Sequence, residues 1–480
     1  MNARTTALAV AAVCLMASSL LAQSFDEAKV RNWHHWRGPH ANGVAPEGNP
    51  PLEWSETQNI KWKAQVPGQG ISSPIIWGDR VFLATAIDTG KKPEGEGGDG
   101  TAADGTAADA GGAQAQGRGQ GQGRRQRGQG RRQGRGRGGR GQGQGPSTLF
   151  QFVVLCLDRN TGETIWQKTA NEVVPHEGKH GDNTYASASP TTDGENLYVS
   201  FGSRGVYCFD LDGNKKWSRD LGKMRTRNGF GEGASPVIHG DTLIVAWDHE
   251  GDSSLYALNA KNGETLWQVE RDEVTTWNTP LVVEHEGMAQ VVVNGSVSRS
   301  YNLANGELVW ECGGQVTNPI PSPVAKDGTV YCMTGYRGHA LYAIPLSSKG
   351  DVTDSESIVW SRNDGTPYVP SPLLYGDLLY FTKSNNAILT CVDAATGDVK
   401  YENERLRGVR GLYASPVGAA GRVYITGRGG STLVVEHGEA LNVLATNVLD
   451  EPIDATPAVV GNQIFLRGSG HLYCIEEKAN

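Results

Sequence analysis

The sequence predicts an all-β fold: an eight-bladed β-propeller built from four-stranded antiparallel blades. Two observations predict it. One unit of about 45 residues recurs along the chain, and each copy contains patterns for four short strands separated by turns. Each copy opens with Ser or Thr followed by Pro, and proline is tolerated at the first position of a strand. These dipeptides are Ser73-Pro74, Ser189-Pro190, Ser235-Pro236, Thr279-Pro280, Ser322-Pro323, Ser371-Pro372, Ser415-Pro416 and Thr456-Pro457.

The four strands of a unit follow one another in a fixed order. After the proline come a short apolar strand, a Gly-Asp type turn such as Gly240-Asp241, and a second strand rich in β-branched or aromatic residues. A third strand follows, as at Leu255–Leu258, and a tight turn leads to a fourth strand that ends in tryptophan. This turn and fourth strand follow one pattern: Asp or Asn comes first, then Thr or Asn followed directly by Gly, and Trp or Tyr comes last. Its copies are Asp158–Trp166, Asn259–Trp267, Asn302–Trp310 and Asp393–Tyr401.

The final unit ends after its third strand, at Leu472–Ile475, so its fourth strand is missing at the C-terminus. Asn59–Val66 has the pattern of a fourth strand, including Trp62. Pairing these two segments would close the ring and remove two exposed sheet edges. The sequence therefore predicts a propeller domain over residues 59–480, preceded by an N-terminal extension over residues 23–58.

The repeated turn and tryptophan resemble the tryptophan-docking motif of the PQQ-binding-like β-propeller repeat superfamily. The opening Trp33-His34-His35-Trp36-Arg37-Gly38-Pro39 is similar to exported PQQ-like repeat proteins. The resemblance covers residues 31–477 apart from one insert, and it implies the fold rather than a reaction, because the matching residues dock blades and form turns. Two kinds of related protein suggest the possible functions: PQQ-dependent alcohol dehydrogenases and BamB-type scaffolds of outer-membrane assembly.

The start of the chain predicts export. Arg4 precedes an apolar run from Ala7 to Ala22 that is shorter than the ~20 residues needed to span a bilayer, with small-residue cleavage after Ala22. We expect residues 1–22 to be a signal peptide and the protein to be periplasmic or secreted, without a membrane span. The cysteines that remain lie at strand positions in separate blades, which predicts buried thiols rather than disulfides. They are Cys156, Cys208, Cys312, Cys332, Cys391 and Cys474.

Residues 91–148 form a low-complexity insert rich in Gly, Arg and Gln, between the second and third strands of the first blade. The insert contains no apolar residue larger than alanine, so it is predicted to be disordered. The formal net charge of the chain is -8 although the insert is basic, so we expect no nucleic-acid binding by the acidic body. Three interpretations of the insert stay open: contact with an acidic polymer, contact with the acidic body itself, and a tolerated flexible expansion.

Two local motifs suggest chemistry that their surroundings disfavour. His176-Glu177-Gly178-Lys179-His180 has the spacing of a zinc peptidase motif, but Pro175 and Gly178 disfavour the helix that this chemistry requires. An accessory metal site or a solvated loop remains. The glycine-rich stretch at residues 228–233 precedes a strand instead of opening a helix, so it does not predict a dinucleotide site.

The candidate site lies where loops converge on one face, formed by the loops that lead into first strands and those between second and third strands. Carboxylates there could bind Ca²⁺, cations and amides could hold a quinone, and a mixed aromatic and polar rim would suit a sugar, peptide or quinone. The metal candidates are Glu232, Asp248 and Asp252. The cofactor candidates are Lys383, Asn385, Asn386 and Arg428. The rim candidates are Arg225, Arg227, Asn228, Trp277, Tyr368 and Tyr413.

These residues support two functions. The first is an exported scaffold that binds a protein or a small molecule, such as a saccharide, at the loop-rich face. The alternative is a dehydrogenase for alcohols or sugars that holds PQQ and Ca²⁺ in the funnel. The vicinal cysteine pair typical of PQQ-dependent alcohol dehydrogenases is absent from the sequence, which favours the scaffold. No residue is identified as catalytic, and no cofactor is assigned to the scaffold.

Overall fold

The computed structural model describes residues 24–94 and 145–478. The predicted signal peptide, residues 1–22, lies outside the described residues. So do residues 95–144, which make up most of the predicted insert. None of the helices in the described ranges has the length and hydropathy needed to span a bilayer.

The prediction of an eight-bladed propeller is confirmed, because the described residues form eight sheets that each contain a four-stranded antiparallel blade. Blades 1 to 4 comprise Ile75–Trp77, Arg80–Asp88, Phe150–Asp158 and Thr164–Val173; Thr191–Thr192, Asn196–Ser200, Val206–Asp210 and Lys215–Arg219; Val237–His239, Thr242–Trp247, Ser254–Asn259 and Thr265–Glu270; Leu281–His285, Met288–Val293, Ser298–Asn302 and Leu308–Cys312. Blades 5 to 8 comprise Val324–Lys326, Thr329–Thr334, Ala340–Pro345 and Trp360–Arg362; Leu373–Tyr375, Leu378–Thr382, Ile388–Asp393 and Val399–Arg405; Val417–Ala419, Arg422–Thr426, Ser431–Glu436 and Val443–Val448; Ala458–Val460, Gln463–Arg467, His471–Glu476 and Ile60–Gln65.

A few short elements lie outside this pattern. Val44–Ala45 adds a parallel strand to the first strand of blade 7, and Gly350–Asp351 adds one to the fourth strand of blade 4. The α-helix Phe25–Lys29 precedes the propeller, and the 3₁₀ turns Gly202–Arg204 and Arg227–Gly229 lie in loops.

The ring closes as predicted. Ile60–Gln65 pairs antiparallel with His471–Glu476, with Trp62 opposite Cys474, so the N-terminal strand is the outermost strand of blade 8. The closure leaves no blade with three strands and removes two open sheet edges.

The repeated tryptophan docks five of the eight blades onto the next. The indole N–H of Trp62 donates to the carbonyl of Arg159 at 2.8 Å, in the turn of blade 1. Its ring lies against Gly162, where an added Cβ would be 2.7 Å from the indole. Gly162 has a φ of 77°, a conformation that glycine adopts without steric cost. The same indole-to-carbonyl bond recurs at Trp166, Trp217, Trp267 and Trp360.

The hydroxyl of the repeated Ser/Thr-Pro dipeptide links neighbouring blades around the axis. The backbone N–H of Ser73 donates to Ser189 Oγ at 2.9 Å, and that of Ser189 donates to Ser235 Oγ at 2.9 Å. The pattern continues from blade to blade up to Ser415, whose N–H donates to Thr456 Oγ1 at 3.0 Å. We call the eight hydroxyl residues of these dipeptides the hydroxyl ring.

The N-terminal extension crosses the face of the propeller opposite the loop-rich face, next to the first strands of the blades. It bonds to five blades, through Trp33 to blade 1, His34 to blade 2, Asn42 to blade 6, Gly43 to blade 7 and Asn49 to blade 8. The segment that resembled exported repeat proteins therefore forms the floor of the propeller.

Arg37 anchors this floor and is 1% exposed. Its guanidinium donates to the carbonyls of Pro372 and Pro416, which begin the first strands of blades 6 and 7. Burial lowers the pKa of Arg37 to about 9, so the side chain stays charged at neutral pH. A buried cation that donates to several carbonyls fixes the position of the extension.

The six cysteines of the described ranges are buried and form no disulfide, as their placement predicts. Burial raises the pKa of Cys156 and Cys474 to about 12, so both thiols stay protonated at neutral pH and are poor nucleophiles.

Candidate functional site

A cavity of about 380 Å³ opens at the loop-rich face. The hydroxyl ring surrounds it, since all eight of its members line the cavity wall. Trp36 reaches the cavity from the N-terminal extension, so the floor of the propeller also contributes to the wall. The volume is that of a small-molecule pocket.

Half-buried aromatic side chains form much of the remaining wall. Tyr336 and Tyr368 stack with their ring centroids 4.6 Å apart. The indole N–H of Trp277 donates to the carbonyl of Gly231 at 2.7 Å, which fixes that ring. Phe230 and Tyr413 also line the cavity. Three of the six predicted rim residues, Trp277, Tyr368 and Tyr413, therefore lie in the wall.

The other three rim residues lie outside the cavity. Exposed Arg225 donates to the backbone carbonyl of Glu250, and Arg227 donates to Asn318 Oδ1 at 3.2 Å. Asn228 is exposed within the turn Arg227–Gly229, at a φ of 52°. They belong to the outer part of the loop-rich face.

Two of the predicted calcium ligands are paired with arginines. Glu232 accepts Arg204 Nη1 at 2.8 Å, and its side chain is 8% exposed. Asp248 is fully buried and accepts both Arg271 Nε at 2.8 Å and Arg271 Nη2 at 3.2 Å. Asp252 is exposed. Among the residues that the structure describes, no group of three or more His, Cys, Asp or Glu side chains could hold a metal ion.

The predicted cofactor residues do not converge on the cavity. Lys383 pairs with Asp364 at 2.9 Å, and Asn385 Oδ1 accepts the backbone N–H of Val369 at 3.0 Å. The backbone N–H of Asn386 closes a turn by donating to the carbonyl of Lys383. Only Arg428 reaches the mouth of the cavity.

Arg428 is the centre of a charged cluster at that mouth. It donates to both oxygens of Asp454, at 2.7 and 2.9 Å, and to Asp182 Oδ1 at 3.0 Å. Its guanidinium lies 3.9 Å from the ring centroid of Tyr413, whose hydroxyl donates to Asp182 Oδ2 at 3.0 Å. Asp182 and Asp454 line the cavity.

The electrostatics of this cluster favour a charged Asp182. Burial would raise its pKa, but hydrogen bonds from Arg428 and Tyr413 outweigh burial, and the pKa of Asp182 is lowered. Burial, together with the bond to Asp182, raises the pKa of Tyr413 to about 12, so its phenol keeps the proton that it donates. At neutral pH, Asp182 is therefore ionised and accepts hydrogen bonds from Arg428 and from the protonated Tyr413.

The segment that resembled a zinc peptidase motif is a loop, as its glycines predict. Glu177 accepts the backbone N–H of Thr226 at 3.0 Å, and His176 Nε2 lies 2.7 Å from the carbonyl of Met224. His180 packs edge-on against Phe230. These contacts hold the loop against blade 3.

Sequence reasoning missed several members of the cavity wall. Asp454 and Tyr336 lie outside any repeated motif, so no local signal distinguished them. Trp36 was read as part of a resemblance, and the hydroxyl ring was read only as a strand start. The sequence did contain a signal for the hydroxyl ring, because Ser or Thr precedes the proline in every copy of the unit.

The arrangement does not fit PQQ with Ca²⁺. Such a site needs free oxygen ligands for the metal and free cations or amides for the quinone. Here Glu232 and Asp248 are neutralised by arginines, and Lys383 is paired with Asp364 away from the cavity.

Comparisons with known proteins give one family and two groups of structures. Residues 151–403 match the family model described as outer membrane protein assembly factor BamB. A curated protein of that name from Bordetella pertussis is 25% identical over 263 residues, which cover 52% of this chain and 59% of that protein. The match thus spans less than two thirds of the relative.

Two solved structures share the fold. BamB from Moraxella catarrhalis superimposes with a TM-score of 0.51 at 14% identity, covering 68% of this chain and 93% of that one. A quinohemoprotein alcohol dehydrogenase from Comamonas testosteroni superimposes with a TM-score of 0.59 at 8% identity, covering 94% and 82%. At these identities the likeness concerns the fold alone.

Proposed function

This chain belongs to the BamB family of outer membrane protein assembly factors, and from this premise we propose that it is an exported scaffold that binds a protein partner at its loop-rich face. The family model covers residues 151–403, more than half of the chain. The family model and the Bordetella pertussis relative carry the assembly role in their names, and we extend a protein-binding role of that kind to this chain.

The observation that supports this proposal most directly is the composition of the loop-rich face. Trp277, Tyr336, Tyr368 and Tyr413 surround the mouth, with exposed arginines such as Arg225 beside them. Tryptophan, tyrosine and arginine are the residue types enriched in the energetic centres of protein interfaces. The charged groups here are mostly paired within the chain, so the face is a preorganised binding surface rather than a set of reactive groups.

The test is capture of the partner from the native host by the purified full-length protein. Arg225→Glu combined with Arg337→Glu reverses two exposed charges on the loop-rich face. Lys261→Glu, at a side chain that is 71% exposed on the opposite face, is the matched control. We expect capture of an outer-membrane protein or a component of its assembly apparatus, abolished in the double variant and retained in the control. Undiminished capture by the double variant would disprove binding at this face.

Export is the second part of the proposal. It rests on the predicted signal peptide at residues 1–22 and on the outer-membrane role in the names of the relatives. Cell fractionation followed by N-terminal sequencing tests it. We expect a periplasmic or secreted protein that begins at Gln23, whereas a cytoplasmic protein that retains Met1 or Asn2 would refute export.

A further inference from the structure

The loop between blades 1 and 2 is unusually long for this propeller. It contains the 17 residues between Val173 and Thr191, and we call it the strap. The loop between Arg219 and Val237 has the same length, whereas the other six connections between blades have nine to eleven residues. The strap and the loop of residues 220–236 pack together at the mouth of the cavity.

One side of the strap is attached to blade 3. The backbone N–H of His180 donates to the carbonyl of Phe230 at 3.0 Å, and Asn183 Nδ2 donates to the same carbonyl at 2.8 Å. Glu177 bonds to Thr226, as described above. These bonds join residues 177–183 of the strap to the loop of residues 220–236, which leads into blade 3.

The same part of the strap also contacts blade 7. Asp182 accepts from Arg428 and Tyr413, both in loops of blade 7. Blades 3 and 7 are four positions apart in a ring of eight, so they face each other across the axis. The strap therefore crosses the mouth of the cavity, and Asp182 forms its contact with blade 7.

The cavity below the strap has the composition of a ligand site. Its walls combine aromatic rings, such as the stacked Tyr336 and Tyr368, with the hydroxyl ring. Trp36 lines this cavity, and its buried indole N–H has no hydrogen-bond partner among the described residues. The carboxylates in the wall, Asp182 and Asp454, both pair with Arg428, and no lysine or arginine of the described residues lines the cavity wall. These features suit a flat, uncharged molecule with a hydrogen-bond acceptor.

We propose that the strap is a lid on this cavity, held closed by the contact of Asp182 with Arg428 and Tyr413. Breaking that contact admits a flat, uncharged aromatic ligand, which packs against the wall formed by Tyr336 and Tyr368. The Asp182 and Arg428 side chains are 38% and 33% exposed, and ion pairs of such exposure are weak enough to open and close readily. The lid stands on contacts within the chain and does not depend on the proposed partner.

The first experiment compares Asp182→Ala with Asp252→Ala, which removes an exposed carboxylate from a neighbouring loop. Hydrogen exchange of the strap reports its opening, and stopped-flow fluorescence of Nile red, a flat uncharged dye, reports ligand association. We expect Asp182→Ala to accelerate both by roughly two- to fivefold, the size of a part-exposed ion pair. Asp252→Ala should match the wild type. Raising the salt concentration should accelerate the wild type but not Asp182→Ala.

Tyr413→Phe is the second variant, because it removes one donor to Asp182 and keeps the ring under Arg428. A smaller acceleration than that of Asp182→Ala is expected. Tyr368→Ala should weaken equilibrium binding of the dye, which places it in the cavity. The proposal fails if the strap exchanges at the wild-type rate in Asp182→Ala. It also fails if exchange accelerates while dye association does not, or if dye binding ignores Tyr368→Ala.

Discussion

At the scale of single residues, the hydroxyls of the Ser/Thr-Pro dipeptides connect neighbouring blades next to their first strands. Ser235 Oγ accepts the backbone N–H of Ser189, and both residues are buried. A buried N–H without a partner costs free energy, so each hydroxyl stabilises the junction between two blades. This explains why serine or threonine fills the position in every blade.

Ser235→Ala should therefore lower the free energy of unfolding by about 1–3 kcal/mol, because the N–H of Ser189 loses its acceptor. Ser235→Thr is the matched control, since the hydroxyls of Thr279 and Thr456 accept the equivalent bonds from Ser235 and Ser415. We expect the control to stay close to the wild type. Urea denaturation followed by tryptophan fluorescence measures the stability of both variants. An alanine variant as stable as the wild type would show that the hydroxyl does not stabilise the junction between the blades.

The charged contact of Asp182 should be insensitive to pH near neutrality. Its pKa lies below the ordinary value of 3.8, so the stabilisation is present above that value and is lost as the pH falls through the lowered pKa. His180 Nδ1 lies 3.6 Å from Asp182 Oδ2, so the comparison is made in a His180→Gln background. Nile red association with that protein, relative to its Asp182→Ala variant, should thus stay constant between about pH 5 and 8. A ratio that changes within that window would assign the closing contact to another titrating group.

At the scale of elements, the turn glycines and the outer-strand tryptophans act as one docking unit. Gly162 combines a φ of 77° with a position against Trp62, so any side chain there is both strained and too close. Gly78 also has a positive φ, of 59°, but an added Cβ would meet nothing within 4 Å. Substituting the two glycines therefore distinguishes the cost of backbone strain from the cost of displacing the tryptophan.

Gly78→Ala should cost about 1 kcal/mol of stability from the backbone alone. Gly162→Ala should cost about 1–3 kcal/mol more, because Trp62 must also move out of its site. Thermal unfolding of the two variants side by side measures the difference. Equal losses would mean that the tryptophan adapts freely and that docking contributes little.

The strands were predictable because each is encoded by a local pattern repeated in every unit. The exceptions occur where the unit is interrupted. Blade 5 lacks the glycine in the turn before its fourth strand, and the inserted strand Gly350–Asp351 separates its third and fourth strands. In blade 4, the indole N–H of Trp310 donates to Gln290 of the same blade rather than to a carbonyl of blade 5. The 49-residue spacing from Pro323 to Pro372 and the absence of the turn motif before Trp360 were the traces of this in the sequence.

At the scale of the whole molecule, the N-terminal segment both closes the ring and seals one end. Deleting residues 23–66 removes the fourth strand of blade 8 and the floor that contains Arg37. The strand His471–Glu476 would then present an open edge, which favours aggregation. We expect aggregates by size-exclusion chromatography, with a lower melting temperature for any soluble fraction.

Deleting only residues 23–32 is the control, because it leaves Trp33, the floor and the closing strand in place. This shorter protein should remain monomeric. A stable monomer after the longer deletion would contradict the closure by Ile60–Gln65.

The site was less predictable than the fold, because its members come from loops that the repeat does not specify. Asp182 and Arg428 are 246 residues apart and meet only because the strap crosses the ring. The sequence supplied the types of residue on the loop-rich face but not their partners. Glu232, Asp248, Lys383 and Arg428 proved to be paired with residues outside the candidate set, and pairing of that kind has no signature in a single sequence.

The central claim is that the loop-rich face binds a protein partner, and site-specific photocrosslinking in the native host tests it most directly. A photoreactive phenylalanine analogue replaces Arg337 on that face or, in the control, exposed Asp241 on the opposite face. The account predicts crosslinks to an outer-membrane protein or a component of its assembly apparatus from position 337 and none from position 241. Crosslinks to such proteins from position 241 alone, or from neither position, would contradict it.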